Sequence, residues 1–307
     1  MIQSQRYRVS PEIELLCQTA GDPSCPLMFF LHGFPEAAFI WDKFLLHFSR
    51  LQNGNYFCVA PNLRGFAGSS SPTEVSKYRP KYLVQDILAL HDLLSPHQPM
   101  AQLVAHDWGG AVAWNFGNQH PSRMRGLTII NSPHPGTFLR ELKNNAHQQS
   151  SSAYMNFLIR PEAEQLLAQN DYRRLWEFFT NMGAADGAHA WLTDEVKNKL
   201  RDVWNQGLTG GLNYYRASPL RPPTPNDRAA AAIDLPLEML QIKCPTQVIW
   251  GMKDMALPPA LIDGLDQYVS NLTLHTIDEG THWIIHEQPE RLIQYLENFL
   301  KTLAAIK

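Results

Sequence analysis

Short apolar runs alternate with stretches whose apolar positions recur every three or four residues. The runs are Leu27–Leu31, Tyr56–Ala60, Leu103–His106, Leu127–Ile130, Thr246–Trp250 and Leu272–Ile277. A strand that is apolar on both faces belongs in the middle of a mostly parallel sheet covered on both sides. A weaker alternating pair, Tyr7–Val9 and Glu12–Cys17, opens the chain. Helical spacing predicts helices over Ile40–Leu51, Tyr82–Leu94, Gly110–Gln119 and Pro289–Leu303. The last begins on proline, whose missing N–H costs nothing in a first turn. The expected class is therefore α/β, with an eight-stranded, mostly parallel sheet.

Between Asn131 and about Pro223 the strand signal disappears. Helical patterns rich in Trp, Tyr, Phe and Met replace it: Tyr154–Ile159, Pro161–Ala168, Tyr172–Phe179 and Thr193–Trp204. The proline-rich stretch Ser218–Pro225 closes this segment before strands resume. The reading is a core of residues 1–132 and 224–307, with a helical cap of residues 133–223 inserted after the sixth strand.

Composition narrows the function classes. With 44% hydrophobic and 18% charged residues among 307, the chain is of ordinary globular type. A formal charge of −3 provides no electrostatic footprint for nucleic acid or an anionic membrane. No apolar run is long enough to span a bilayer, and no signal-peptide core follows the N-terminus, so a cytoplasmic location is expected. Cys17, Cys25, Cys58 and Cys244 fit no paired metal spacing, and Cys58 reads as a small core residue. No dinucleotide or phosphate-loop glycine pattern occurs. In His282-Trp283-Ile284-Ile285-His286, Trp283 stands where a zinc-protease helix needs glutamate. No cofactor or metal is expected, and the chain is read as a monomer or homo-oligomer.

The chemistry concentrates in Leu103-Val104-Ala105-His106-Asp107-Trp108-Gly109-Gly110. Small residues two positions either side of Asp107 permit a sharp strand-to-helix turn that lifts the middle side chain into an exposed, strained position. An aspartate there, with a reference pKa of about 3.9, is ionised at neutral pH and attacks without a base. It leaves an ester of its own side chain. Downstream, Trp250-Gly251-Met252-Lys253-Asp254 puts an acid past one strand, and Gly280-Thr281-His282-Trp283 puts a histidine past the next. Taken singly, Asp254 could be a helix cap and His282 a packing residue. Taken in order, each after its own strand, they form a nucleophile–acid–histidine set in which Asp254 orients His282. Upstream, His32-Gly33-Phe34-Pro35-Glu36 turns one backbone N–H toward the site, so the Phe34 and Trp108 amides would make an oxyanion hole. Glu36 reads as structural.

These four motifs together resemble the epoxide hydrolases of the α/β-hydrolase fold over nearly the whole chain. The resemblance implies that an epoxide opens to a vicinal diol through an ester on Asp107, which His282 and Asp254 then hydrolyse. It also implies two cap tyrosines donating hydrogen bonds to the epoxide oxygen. Gly211-Leu212-Asn213-Tyr214-Tyr215-Arg216 nominates Tyr215, and Tyr154, seven residues before Pro161, matches the other position. Tyr214 and Tyr172 compete for these roles. A small apolar epoxide would lie among Phe34, Trp108, Tyr154 and Tyr215. Two departures stand out. Asn62 and Ala67 replace an Asp and a Gly in the Arg64-Gly65 turn, and Asn131 stands where some relatives carry the triad acid. A haloalkane or haloacid dehalogenase shares this nucleophile, and a non-catalytic ligand receptor shares the scaffold. Neither is excluded by the sequence.

Overall fold

The computed structural model describes residues 1–184 and 190–305. Eight strands form one sheet: β1 (Gln3–Arg8), β2 (Glu14–Ala20), β3 (Leu27–Leu31), β4 (Phe57–Pro61), β5 (Gln102–His106), β6 (Leu127–Ile130), β7 (Thr246–Gly251) and β8 (Leu272–Ile277). Their spatial order is β1-β2-β4-β3-β5-β6-β7-β8. β1 and β2 pair antiparallel, as does β2 with β4, and every other pairing is parallel. The opening pair is longer than Tyr7–Val9 and Glu12–Cys17, because its exposed outer strand carries little hydrophobic signal.

In β3 to β7 the runs are apolar because both sheet faces are buried, whereas β8, read from sequence as another such run, is a largely exposed edge strand. In β3, Leu27, Phe29 and Leu31 enter one core cluster while Met28 and Phe30 enter the other. In β4, Phe57 and Val59 oppose Cys58 and Ala60 in the same way. A one-residue slip would exchange these faces, so packing fixes the register.

Helix α1 (Asp42–Phe48) follows a 3-10 turn at Ala38–Trp41 and is shorter than the predicted Ile40–Leu51. It stops because Arg50 is extended and Gly54 is left-handed at φ 108°. Helix α2 (Pro80–Leu94) starts on its proline, two residues earlier than the periodicity suggested. Helix α3 (Asp107–Gln119) begins on the nucleophile candidate itself.

The helical cap is inserted between β6 and β7. It contains α4 (Pro135–Asn144), α5 (Ala146–Ser151), α6 (Tyr154–Leu158), α7 (Ala163–Thr180), α8 (Asp194–Trp204) and α9 (Thr209–Ala217). The two helices expected at Pro161–Ala168 and Tyr172–Phe179 are halves of α7, separated by non-helical backbone from Gln169 to Tyr172. Helices α4, α5 and α9 were not predicted. Two glycines weaken the helical signal of α9, yet one of them is needed for packing. A Cβ on Gly210 would lie 2.1 Å from the Gly65 carbonyl oxygen. The chain ends in α10 (Ile284–Glu287) and α11 (Pro289–Ala305). Among the described residues no helix is long and apolar enough to cross a membrane.

The departure at Asn62 has a structural use. Its Oδ1 accepts the Ala38 N–H at 2.7 Å, and its Nδ2 donates to the Ala67 carbonyl at 2.6 Å. An aspartate could make only the first bond, so Asn62 closes its own turn and ties it to the 3-10 turn at Ala38. Beside it, Arg64 forms a buried two-point pair with Asp86, at 2.8 and 2.7 Å.

Candidate active site

Asp107 sits at the junction of β5 and α3 with φ 49°, a left-handed conformation that costs a non-glycine residue about 1–2 kcal/mol. Close packing maintains it. A Cβ on Gly109 would lie 2.5 Å from the Leu31 carbonyl oxygen, and one on Gly110 would lie 2.3 Å from the Ser132 Cβ. A Cβ on Gly33 would meet the Asp107 carboxylate itself at 2.2 Å. The Ser132 hydroxyl donates to the Asp107 carbonyl at 2.6 Å, bracing the turn from β6.

The Phe34 N–H donates to Asp107 Oδ1 at 2.8 Å, and the Trp108 N–H also bonds the carboxylate. Burial raises the Asp107 pKa, opposed by the His282 charge and by these two amides. His282 Nε2 stands 3.7 Å from Asp107 Oδ2, too far for a hydrogen bond. Its Nδ1 meets Asp254 Oδ2 at 2.7 Å. Burial pulls the His282 pKa down, but the Asp254 and Asp107 carboxylates outweigh it and hold the ring at about 9. Asp254 Oδ1 accepts the Ala256 and Leu257 N–H groups, each at 2.9 Å.

Three residues in this set were not nominated from sequence as parts of it. Asn131, with φ 39°, donates from Nδ2 to Asp254 Oδ2 at 2.7 Å and accepts the Gly251 N–H at 2.9 Å. Ser132 is the brace described above. His106, fully buried, lies 2.9 Å through Nε2 from the His282 carbonyl, and burial pushes its pKa well down, so it is neutral and donates. Asn131 and His106 each adjoin a motif, but nothing in sequence spacing shows that their side chains turn toward Asp254 and His282.

The cap brings Tyr154 and Tyr215 over Asp107, with ring centroids 6.2 Å apart. Tyr215 packs edge-on against Trp108 at 5.0 Å and Phe34 at 5.5 Å. Burial, and then the Asp107 charge among other groups, raises both phenol pKa values, so both remain protonated donors. The competing tyrosines are engaged elsewhere. Tyr214 donates to the Arg64 carbonyl at 2.9 Å, and Tyr172 donates to Asn205 at 2.7 Å. Glu36 is buried and pairs with His286 at 2.5 Å, against which Trp191 stacks.

A cavity of about 430 Å³ opens above Asp107, lined by Trp108, Tyr154, Tyr215, Phe138, Met155 and Leu220 among others. Its walls are almost wholly apolar. Phe34, read from sequence as a substrate contact, is not among the residues lining this cavity. The ring turns behind Tyr215 toward Trp204 and Gly211, so Phe34 meets the site through its N–H. A more polar cavity lies on the other side of Tyr154, between α5 and α7. Among the described residues no group of three or more His, Cys, Asp or Glu is arranged to hold a metal ion.

Residues 26–289 match the family profile described as alpha/beta hydrolase fold. The AB hydrolase superfamily protein YfhM of Bacillus subtilis is 32% identical, over 94% of this chain and 95% of its own. Epoxide hydrolase 3 of Xenopus tropicalis is 31% identical, over 92% of this chain and 73% of its own. The chain belongs to the epoxide hydrolases of the α/β-hydrolase fold. Among solved structures of epoxide hydrolases, that of the Bacillus megaterium enzyme with an inhibitor superposes with a TM-score of 0.86 at 30% identity. It covers 97% of this chain and all of that one. An epoxide hydrolase from hot-environment metagenomes superposes at 0.83 with 33% identity, covering 98% and 99%.

Proposed function

We propose that this epoxide hydrolase opens a small apolar epoxide to a vicinal diol in two steps through an ester on Asp107. Oδ1 is engaged by the Phe34 N–H, and Oδ2, which faces His282, is the oxygen left to attack. As it attacks an epoxide carbon, the C–O bond breaks and the departing oxygen takes a proton from one of the neighbouring phenols Tyr154 and Tyr215. A phenol of pKa above 10 suits an alkoxide leaving group and offers less to a halide, which needs no proton. That difference favours the epoxide over the haloalkane. The assembled Asp107, Asp254 and His282 set also has no use in a receptor that only binds.

In the second step His282 removes a proton from water, which attacks the carboxyl carbon of Asp107. The Phe34 and Trp108 amides then hold the oxyanion that develops on Oδ1, an interaction worth about 3 kcal/mol per donor. The tetrahedral intermediate collapses, the ester C–O bond to the diol breaks, and the leaving diol oxygen takes the proton back from His282. The proton shed as Asp107 returns to carboxylate restores the tyrosine. Asp254 fixes the ring tautomer and stabilises the imidazolium. Residues 133–223 act as the cap that supplies the acid, and 1–132 with 224–307 as the core that supplies the nucleophile and base.

The observation that carries this reading is the pairing of two buried phenols with a carboxylate that needs no activation. A single turnover of styrene oxide in heavy-oxygen water tests it. The first diol should carry no label, and the label should enter the Asp107 carboxylate. Label in that diol would mean that water attacks the epoxide directly.

A further inference from the structure

The α4–α5 part of the cap is hydrogen-bonded to the chain that follows β7 and carries Asp254. On α4, Arg140 donates from Nη1 to the Asp263 carbonyl at 2.8 Å and from Nη2 to the Ala260 carbonyl at 2.9 Å. On α5, the buried side chain of Gln148 donates from Nε2 to the Ala256 carbonyl at 3.3 Å and to the Ser152 hydroxyl at 2.8 Å. The Ala256 carbonyl can only accept, which fixes the orientation of this amide. The two links differ in what they reach. Arg140 holds a 3-10 turn, Pro259–Ile262, none of whose residues lines the cavity above Asp107.

Gln148 reaches toward both steps of the reaction. The carbonyl of Ala256 and the N–H of Leu257 belong to one planar trans peptide, so they point in opposite directions. On its N–H side that peptide holds Asp254 Oδ1 at 2.9 Å, and on its carbonyl side it is held by Gln148. Donation to the carbonyl polarises the N–H at the other end and strengthens its bond to the carboxylate that orients His282. In the other direction, Ser152 stands two residues before Tyr154, and its carbonyl accepts the Met155 N–H at 3.0 Å as α6 begins. Gln148 Oε1, although buried, has no hydrogen-bond partner among the described residues. A buried acceptor left unpaired costs about as much as the two bonds of the amide contribute, so the side chain adds little to folding that an apolar one would not. Joining the Ala256 peptide to Ser152 is what an apolar side chain cannot do.

We propose that Gln148 is a positioning residue that sets Tyr154 of the cap and Asp254 of the core in one frame, so that epoxide opening and ester hydrolysis both depend on it. The proposal rests on the two-step reading and adds to it a residue that touches none of the reacting groups. Its loss displaces a proton donor in the first step and the partner of the base in the second. A small displacement of each should slow each step about tenfold. Ser152 carries only the arm toward Tyr154, and Arg140 carries neither.

The test compares Gln148→Met, which keeps length and bulk but has no donor, with Ser152→Ala and Arg140→Met in the full-length protein. Rapid-mixing single turnovers of styrene oxide give the rates of ester formation and ester decay. Gln148→Met should slow both about tenfold, and Ser152→Ala should slow formation alone. Arg140→Met should leave both rates near native while lowering the melting temperature. Gln148→Asn, an amide too short to span both partners, should repeat the loss and serves if Gln148→Met does not fold. The Nδ1–H that His282 donates to Asp254 gives a second readout by NMR, one that needs no substrate. Its low-field signal should broaden in both Gln148 variants and persist in Ser152→Ala. Native rates in the Gln148 variants, an unchanged His282 signal in them, or equal losses in Arg140→Met would overturn the positioning role. A native protein that forms no ester, with the His282 signal still lost on substitution of Gln148, would uphold the link to Asp254 and overturn the two-step reading alone.

Discussion

Asn131 and His282 share one oxygen: Asp254 Oδ2 meets the Asn131 amide and the His282 ring at 2.7 Å each. The amide lies where it can only donate, so it fixes the carboxylate without competing for the proton. Asn131→Ala should therefore slow ester hydrolysis about tenfold and leave ester formation near its native rate. Rapid-mixing single turnovers that follow Trp108 fluorescence would separate the two steps. Equal losses in both would remove Asn131 from this role.

Asp254→Asn should separate the steps further. Asparagine presents the wrong partner to His282 Nδ1, a loss of about 10⁴ in a comparable triad. The covalent adduct on Asp107 should then accumulate, and intact-protein mass spectrometry after mixing with styrene oxide would detect it. No adduct, with the epoxide consumed at the native rate, would count against a covalent route.

The two neighbouring tyrosines should respond in opposite ways. Tyr215→Phe keeps the ring against Trp108 and Phe34 but removes the donor, so kcat/KM should fall about 100-fold at ester formation. Tyr214→Phe loses only a bond to the Arg64 carbonyl, and should cost about 1 kcal/mol of stability with activity nearly intact. Denaturant melts and steady-state kinetics on both variants would show whether the hydroxyls divide in this way.

Gly33→Ala is expected to be the most damaging single methyl in the site. The added carbon would collide with the Asp107 carboxylate, and displacing a reacting group by about 1 Å costs on the order of 100-fold. Near-native thermal stability with little activity is the expected pair of results. An active Gly33→Ala enzyme would show that the carboxylate can relocate.

The pH dependence follows from charge. In the free enzyme His282 is held at about 9 by Asp254 and then Asp107 against the opposing effect of burial. Esterification neutralises Asp107, so this ring should deprotonate at a lower pH in the intermediate. Ester hydrolysis should therefore rise with pH through a pKa below 9 and fall off on the acid side, where imidazolium cannot accept a proton. Titrating His282 by NMR in the free enzyme and in the trapped ester of Asp254→Asn would be confounded by the substitution. The comparison should instead set the free-enzyme titration against the pH profile of single-turnover ester decay. A decay pKa at or above that of the free enzyme would contradict the argument.

Asp107, Asp254 and His282 could be nominated from the sequence because each follows a strand pattern, buried in β5 and β7 but largely exposed in the edge strand β8. Chain order then assigned their roles. The cap was legible as a change of period, from consecutive apolar residues to helical spacing, but α4, α5 and α9 were not. Their helical form depends on contacts such as Gly210 against Gly65, which no local propensity reports. The Phe34 N–H meets Asp107 Oδ1, a contact that a turn motif makes legible, whereas the ring direction follows from what packs behind it.

By itself, then, the sequence determined the strand-to-loop positions of the candidate groups, because parallel strands leave their C-terminal ends at one sheet edge. Only the tertiary structure decided which neighbours complete them. It turned Asn131 toward Asp254, His106 toward the His282 carbonyl, and Tyr215 rather than Tyr214 toward Asp107. Those choices depend on side-chain directions across elements distant in the chain, set by packing and by the need to satisfy buried polar groups. Spacing along the chain does not encode them.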